Sequence, residues 1–252
     1  MIAFVRLFLD AHEREQYLEP ALYIKGSGEV LFLALIVSYV LTTIFEPEKL
    51  EKNALKDLFG YNNPCVVIDH PPGAYVAVPM FSVCTYFSIR YAVTDSRRAS
   101  ISPKLQNWKR NLSLFANWQY ALTMIISSLL FVETPDRNVN THTSIFMCIM
   151  ISRLLAVSMN FVEGYDSVTK TQWLYLFTYT CVTLTSFTLA AITLRAGHQV
   201  FPSIVMAFFD YSWFLMLPLT TYFFPDQGGV LFVRSELRRV NNNKMSAIGI
   251  TS

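Results

Sequence analysis

Six long apolar segments dominate this chain and constrain its fold more than any other feature. They lie at roughly 29–46, 75–93, 113–132, 144–162, 173–194 and 201–224. Each holds about 18–24 residues, enough for a helix rising 1.5 Å per residue to cross ~30 Å of hydrocarbon. A soluble domain of 252 residues would carry about 25% charged residues, whereas this chain has 15% and is 53% hydrophobic. The expected fold is therefore all-α: a polytopic bundle of six membrane-spanning helices over residues 29–224. Residues 1–28 form an N-terminal segment and residues 225–252 a basic tail. Aromatic residues and prolines near the span ends (Tyr75, Trp118, Trp173, Phe201, Phe224) suit the membrane–water interface. Pro79 and Pro218 fall inside spans and predict kinks.

Orientation follows from the flanking cations. The two ends and the even-numbered loops carry 13 Lys and Arg residues, against five (Lys49, Lys52, Lys56, Arg137 and Arg195) on the other side. The positive-inside rule then puts both termini in the cytosol. The first loop, 47–74, faces the lumen or the exterior and ends in the turn-rich run Asp69-His70-Pro71-Pro72-Gly73. The short apolar stretch at the N-terminus is interrupted by Arg6 and followed by Asp10, Glu13 and Arg14. It reads as an amphipathic interfacial helix over 2–18 rather than a cleaved leader.

Ionisable groups deep in a span are costly and face the protein interior. Arg153 in the fourth span and Asp210 in the sixth each sit about nine residues from the outer boundary, so the expectation is an ion pair between them. That pair is either static packing or a site for a headgroup or ion. Arg90 lies close enough to the cytosolic boundary to snorkel. Asn117, Gln119 and Asn160 form a second polar set suited to interhelical hydrogen bonds. His70, His142 and His198 are expected at the outer face, with Glu133 near His142.

The second loop offers Arg97, Arg98, Lys104, Lys109 and Arg110 as contacts for anionic lipid headgroups. Arg97-Arg98-Ala99-Ser100 also has the form of a basophilic kinase site at Ser100. Asn111-Leu112-Ser113 is a glycosylation sequon, and a glycan there would require the opposite orientation. No esterase elbow, zinc-protease helix, P-loop or dinucleotide fingerprint occurs. The four cysteines show no ligand spacing. No lysine lies in a span, which excludes a retinal Schiff base. No catalytic residue, cofactor or metal is therefore assigned, and a net charge of +2 gives no footprint for nucleic acid. The partners implied are membrane lipids and, in one reading, other membrane subunits.

Several local runs resemble one family. Ile36-Val37-Ser38-Tyr39-Val40 in the first span, Asp69-His70-Pro71-Pro72-Gly73 before the second, Asn111-Leu112 opening the third, Thr141-His142 before the fourth and Asp210-Tyr211 in the last are similar to the superfamily of damage-regulated autophagy modulators and GPI-anchor-remodelling proteins. That family commonly has Glu where this chain has Asp210, and Arg153 has no anchor in its pattern. The resemblance implies a non-enzymatic, lipid-handling protein of the endomembrane system (ER, Golgi or lysosome) or plasma membrane, linked to GPI-anchor maturation or autophagy. Two other readings stand beside it: a structural accessory subunit of a large complex in an organellar inner membrane, and a small channel or transporter built on Arg153 and Asp210.

Overall fold

The computed structural model describes residues 15–102, 105–164, 167–225 and 230–233. Strand β1 (Glu15–Leu18) leads into α1 (Pro20–Phe45). Three short helices follow, α2 (Pro47–Glu51), α3 (Ala54–Phe59) and α4 (Val66–Asp69). Then come α5 (Gly73–Ile101), α6 (Asn107–Ile126, continued by a 3₁₀ turn over Ser127–Phe131), α7 (Pro135–Glu163), α8 (Lys170–Ala196) and α9 (Ser203–Phe223). Strand β2 (Val230–Val233) pairs antiparallel with β1, Glu15 opposite Val233. Among the described residues the regular structure is thus helical apart from this ribbon, and six helices are long and apolar enough to cross a membrane.

The apolar windows locate all six helices but misplace their ends. The first helix begins at Pro20, nine residues before the apolar window, because Lys25, Gly26 and Gly28 lower the local hydropathy without breaking the hydrogen-bond ladder. The fourth begins at Pro135, and the second runs on to Ile101. Hydropathy measures the slab of hydrocarbon, whereas helix length follows backbone hydrogen bonds, which continue past the lipid boundary. Glu15–Leu18 is a strand, not the end of an interfacial helix. The rest of that expected helix, and the tail other than Pro225 and β2, lie outside the described residues.

Consecutive spanning helices pack against each other, and α9 returns to pack on α1, closing a six-membered ring. The β1–β2 ribbon ties the two ends of the ring's chain together on one side, here termed the ribbon end. Large apolar side chains such as Leu122, Phe177, Ile204 and Phe208 remain exposed on the outer faces. In a chain with six spanning helices such a belt is the lipid contact.

The other mouth of the ring, the cap end, is closed by residues 47–72. The sequence presents this stretch as a turn-rich loop, but it folds into α2–α4, and α3 and α4 bury their apolar side chains. Leu55, Phe59, Val66 and Val67 are each at most 2% exposed. Helix α3 crosses to α7 and α8, while α4 returns to α1 and α5. Asn53 caps α3 by accepting from the Lys56 amide at 2.8 Å, and Gly60 ends it at φ +78°. The segment is pinned below by Ser38, whose hydroxyl donates to the Gly73 carbonyl at 3.0 Å.

Gly73 starts α5 so close to α4 that a Cβ there would collide with the Val67 carbonyl oxygen and press on Thr42 and Ser38. Backbone oxygen cannot move aside as a flexible side chain can. Gly73→Ala should therefore destabilise the fold by about 2 kcal/mol or more, read as a lower melting temperature in detergent.

Candidate functional site

Three polar layers run down the ring. At the ribbon end, Arg98 of α5 donates to Asp95 one turn earlier at 2.7 Å and to Glu163 at the end of α7. Asn117 of α6 donates to the other Asp95 oxygen at 2.6 Å. Asn160 donates to the Tyr91 hydroxyl of α5 and to its own helix at Ala156. Asn117 and Asn160 thus make the interhelical bonds expected of them. Gln119 does not join them: its amide bonds only to Thr123 of its own helix at 3.3 Å. The two carboxylates were not legible as intramembrane groups because both fall just past the apolar windows, at 95 and 163.

The expected lipid-contact cations are partly spent inside the protein. Arg98 serves the acidic pair, Lys109 donates to the Val162 carbonyl at 3.3 Å, and Arg110 donates to the carbonyls of Ala99, Ser102 and Leu105. Arg97 remains exposed, and Lys104 lies outside the described residues. Ser100 is exposed but sits in the last turn of α5, with its hydroxyl donating to Ser96 at 2.8 Å.

In the middle layer Arg153 is 2% exposed. It donates to the Tyr120 hydroxyl (2.9 Å), the Ser27 hydroxyl (2.9 Å) and the Ile24 carbonyl (3.1 Å). Its guanidinium also lies over the Tyr120 ring at 5.9 Å. Gly28 makes room for it, since a Cβ there would stand 2.6 Å from Nη2 and 2.8 Å from the Leu217 carbonyl. One side chain from α7 therefore joins α1 and α6. The expected pair with Asp210 is not formed. Asp210 lies about seven residues inside α9, ~10 Å from its start, while Arg153 lies about 20 Å below the break in α7 at Asn138. Matching the apolar windows equated two depths that the helices themselves do not share.

Asp210 belongs to the cap layer. It accepts hydrogen bonds from Tyr61, from Ser186 of α8 and from Asn63 at 3.0 Å. The next residue, Tyr211, donates to the Asn62 carbonyl at 2.8 Å. Helix α9 thus clamps the strap 61–64. Neither Tyr61 nor Asn63 carried any signal in the sequence, because the strap reaches α9 only through the folded cap.

His70 and His142 also meet the cap layer, each beside an acid. His70 Nε2 is 3.3 Å from Asp136, which opens α7. His142 Nε2 is 3.4 Å from Asp69, and its Nδ1 lies 3.0 Å from the Glu133 carbonyl. A proton on Nδ1 is thus directed to Glu133, which turns Nε2 toward the acid. The side chains of Asp69 and His142 are 0% and 1% exposed. Asn138 interrupts α7, and its side chain accepts from the Thr141 amide at 3.0 Å, restarting the helix so that His142 falls in the first turn. His198 stays exposed, bonded only to the Ala196 carbonyl, and joins no cluster. Among the described residues no group of His, Cys, Asp and Glu is placed to hold a metal ion.

Burial pushes the Asp69 carboxyl well above the usual carboxylate range, and the Asp136 charge adds to this. Burial likewise raises the Cys65 thiol, with Asp69 and Asp210 contributing. Burial holds His70 below the ordinary histidine value, partly offset by Asp136. Cys65 therefore stays a thiol, and the Asp69 carboxyl keeps its proton into a range where a surface carboxylate has lost it.

Two further concavities adjoin the strap. An apolar groove of about 180 Å³ between α1 and α9 is lined by Leu35, Ile36, Tyr39, Val40, Tyr211 and Phe214, with Pro64 and Val67 above. It meets at Tyr39 a polar recess of about 480 Å³ walled by Glu48, Glu51, Lys52 and Asn62. Comparison with protein-family models, with curated proteins and with solved structures found no match to this chain.

Two measurements test this layout. Arg153 and Asp210 share no partner, so the stability losses of Arg153→Met and Asp210→Asn should add within about 0.5 kcal/mol in the double variant. A larger coupling would restore the ion pair. For Asp69, a raised folded value means the native state binds more protons than the unfolded chain between the unfolded and folded values. Its contribution to stability is therefore present at acidic pH and lost as pH rises through the folded value. Asp69→Asn should flatten that fall in melting temperature, while His70→Gln, acting on a lowered value, should alter only the acidic side, below about pH 6.5.

Proposed function

We propose that this protein is a non-enzymatic, lipid-binding protein of the endomembrane system that holds one amphiphile at its cap end. The carrying observation is the apolar groove between α1 and α9 that opens, at Tyr39, into a recess of mixed charge. An acyl chain fits against buried Phe214 and against Ile36 and Val40, the two that the surrounding bilayer also wets. The recess above offers Glu48, Glu51 and Lys52 to a headgroup bearing both charges. Tyr39 and Tyr211 stand where the two zones meet, the level at which aromatic hydroxyls favour the membrane interface. The cation distribution orients the ribbon end and both termini toward the cytosol, so the amphiphile belongs to the luminal or outer leaflet.

The family resemblance points the same way and sets GPI-anchor maturation or autophagy-type regulation as the physiological context. The channel reading is less well supported. The ring interior is filled by Arg153, Tyr91, Tyr120, Tyr179 and Trp213, each at most 2% exposed, and the mouth is capped.

Replacing Val40 and Ile36 with Trp fills the groove from its lipid-facing wall, where both side chains are nearly half exposed and overpacking of the core is avoided. Native mass spectrometry of the purified protein should show retained phospholipid in the wild type. The double variant should retain about tenfold less, equivalent to ~1.4 kcal/mol, at an unchanged melting temperature. Equal retention by both proteins, or none by the wild type, refutes the assignment.

A further inference from the structure

Beneath the strap lies a small cavity of about 20 Å³, lined on its polar side by Asn63, Cys65, His142, Thr143, Ser186 and Asp210. Leu55, Phe59, Phe146, Met147, Met150 and Ala190 supply the rest of its wall. That volume accommodates about one water molecule, which needs two to four polar partners to reside in a protein interior. Two buried polar atoms of residues lining this cavity lack a hydrogen bond of good geometry: the hydroxyl of Thr143 and Nε2 of His142, whose nearest acid is Asp69 at 3.4 Å. His142 is 1% and Thr143 7% exposed. Asp210 lines the same cavity.

We propose that this cavity binds a water that joins His142 and Thr143 to Asp210, making Asp210 a proton-binding site entered from the cap end. Every charged or titratable group around the route takes part in the geometry. Asp136 is half-exposed and contacts His70, with Lys49 acting on His70 from α2. Asp69 of α4 follows, against His142 of α7. Cys65 and Tyr61 come from the cap, Ser186 from α8 and Tyr211 from α9. No cation faces Asp210 within salt-bridge distance among the described residues.

Proton arrival at Asp210 has a defined structural consequence. As a carboxylate it accepts from three donors, Tyr61, Asn63 and Ser186. A protonated carboxyl keeps three of its four acceptor positions and becomes a donor at the fourth, so with the cavity water as a fourth partner one of the four contacts must break or reverse. Two of the four hold the strap. Acidification at the cap end therefore loosens residues 61–65 from α9. Pro64 of the strap also lines the apolar groove, so the proton site regulates lipid retention as well; that last link alone rests on the lipid-binding reading.

The test is hydrogen–deuterium exchange of the full chain in nanodiscs at about pH 7.5 and about pH 5, corrected for intrinsic exchange rates. Protection of residues 61–67 should fall about tenfold on acidification, while the middle of α5 keeps its protection. Asp210→Asn should be weakly protected at both pH values. Thr143→Val and His142→Gln should slow the loosening after a rapid pH drop by about tenfold while reaching the same end point. The groove-filled Ile36→Trp/Val40→Trp protein should still respond, which separates this site from the lipid reading. A pH-independent strap, an unaltered transition in Asp210→Asn, or unaltered rates in both relay variants overturns the proposal. If Asp210→Asn does not fold, infrared spectra of the wild type decide: a protonated-carboxyl band must grow on acidification, and its absence refutes the site.

Discussion

The structure depends on how one guanidinium is satisfied inside the ring. Arg153 is buried in the fourth spanning helix with no carboxylate within salt-bridge distance among the described residues, and removing an ion from water costs several kcal/mol after relaxation. The chain meets that cost with oriented dipoles. Hydroxyls of Ser27 and Tyr120 and the carbonyl of Ile24 accept its protons, and the Tyr120 ring faces the cation. These acceptors come from the first and third helices, and Gly28 lets the first helix and the sixth approach the guanidinium together. The cation therefore fixes the register of helices that are far apart in sequence. In hydrocarbon, where apolar surfaces exert little mutual attraction, such bonds and close packing at small residues decide the arrangement.

The cap shows the opposite strategy. Its acids and histidines are brought together by a segment outside the membrane that buries its apolar side chains. Asp69 sits against His142, and His70 against Asp136. The carboxyl of Asp69 is held well above its usual range by burial, with the Asp136 charge adding to this. Asp210 links this layer to the membrane interior by gripping the strap that also walls the apolar groove. The two proposed roles, lipid contact and proton binding, thus converge with closure of the ring mouth on residues 61–65, a stretch with no periodicity or motif to announce it.

Much of the candidate site was visible only as isolated residues. Arg153 and Asp210 were legible because a charge inside an apolar run stands out against hydropathy. Their partners were not, since Ser, Tyr and Asn side chains are common in membrane helices and give no positional signal. The expected Arg153–Asp210 pair failed for the same reason: equal distance from a hydropathy boundary is not equal depth when one helix extends well beyond it. Asp95 and Glu163 were missed at the span ends, where a carboxylate looks like part of a loop until Arg98 and Asn117 are found against it. His70 and His142 lie together at the cap end of the bundle, but their acids emerged only when α4 folded back onto the mouth of α7.

The sequence by itself determined that the chain is helical and that six segments can cross a membrane, because backbone groups in hydrocarbon have no partner other than their own helix. It also determined which side chains are too polar to face lipid. The tertiary structure alone decided the closed order of the ring, the folded cap over residues 47–72, and which acceptor meets which charge. Those choices rest on contacts between residues separated by tens to more than a hundred positions, such as Ser27 with Arg153 and Tyr61 with Asp210. Local hydropathy cannot encode them, since it reports the solvent of a segment and not its neighbour.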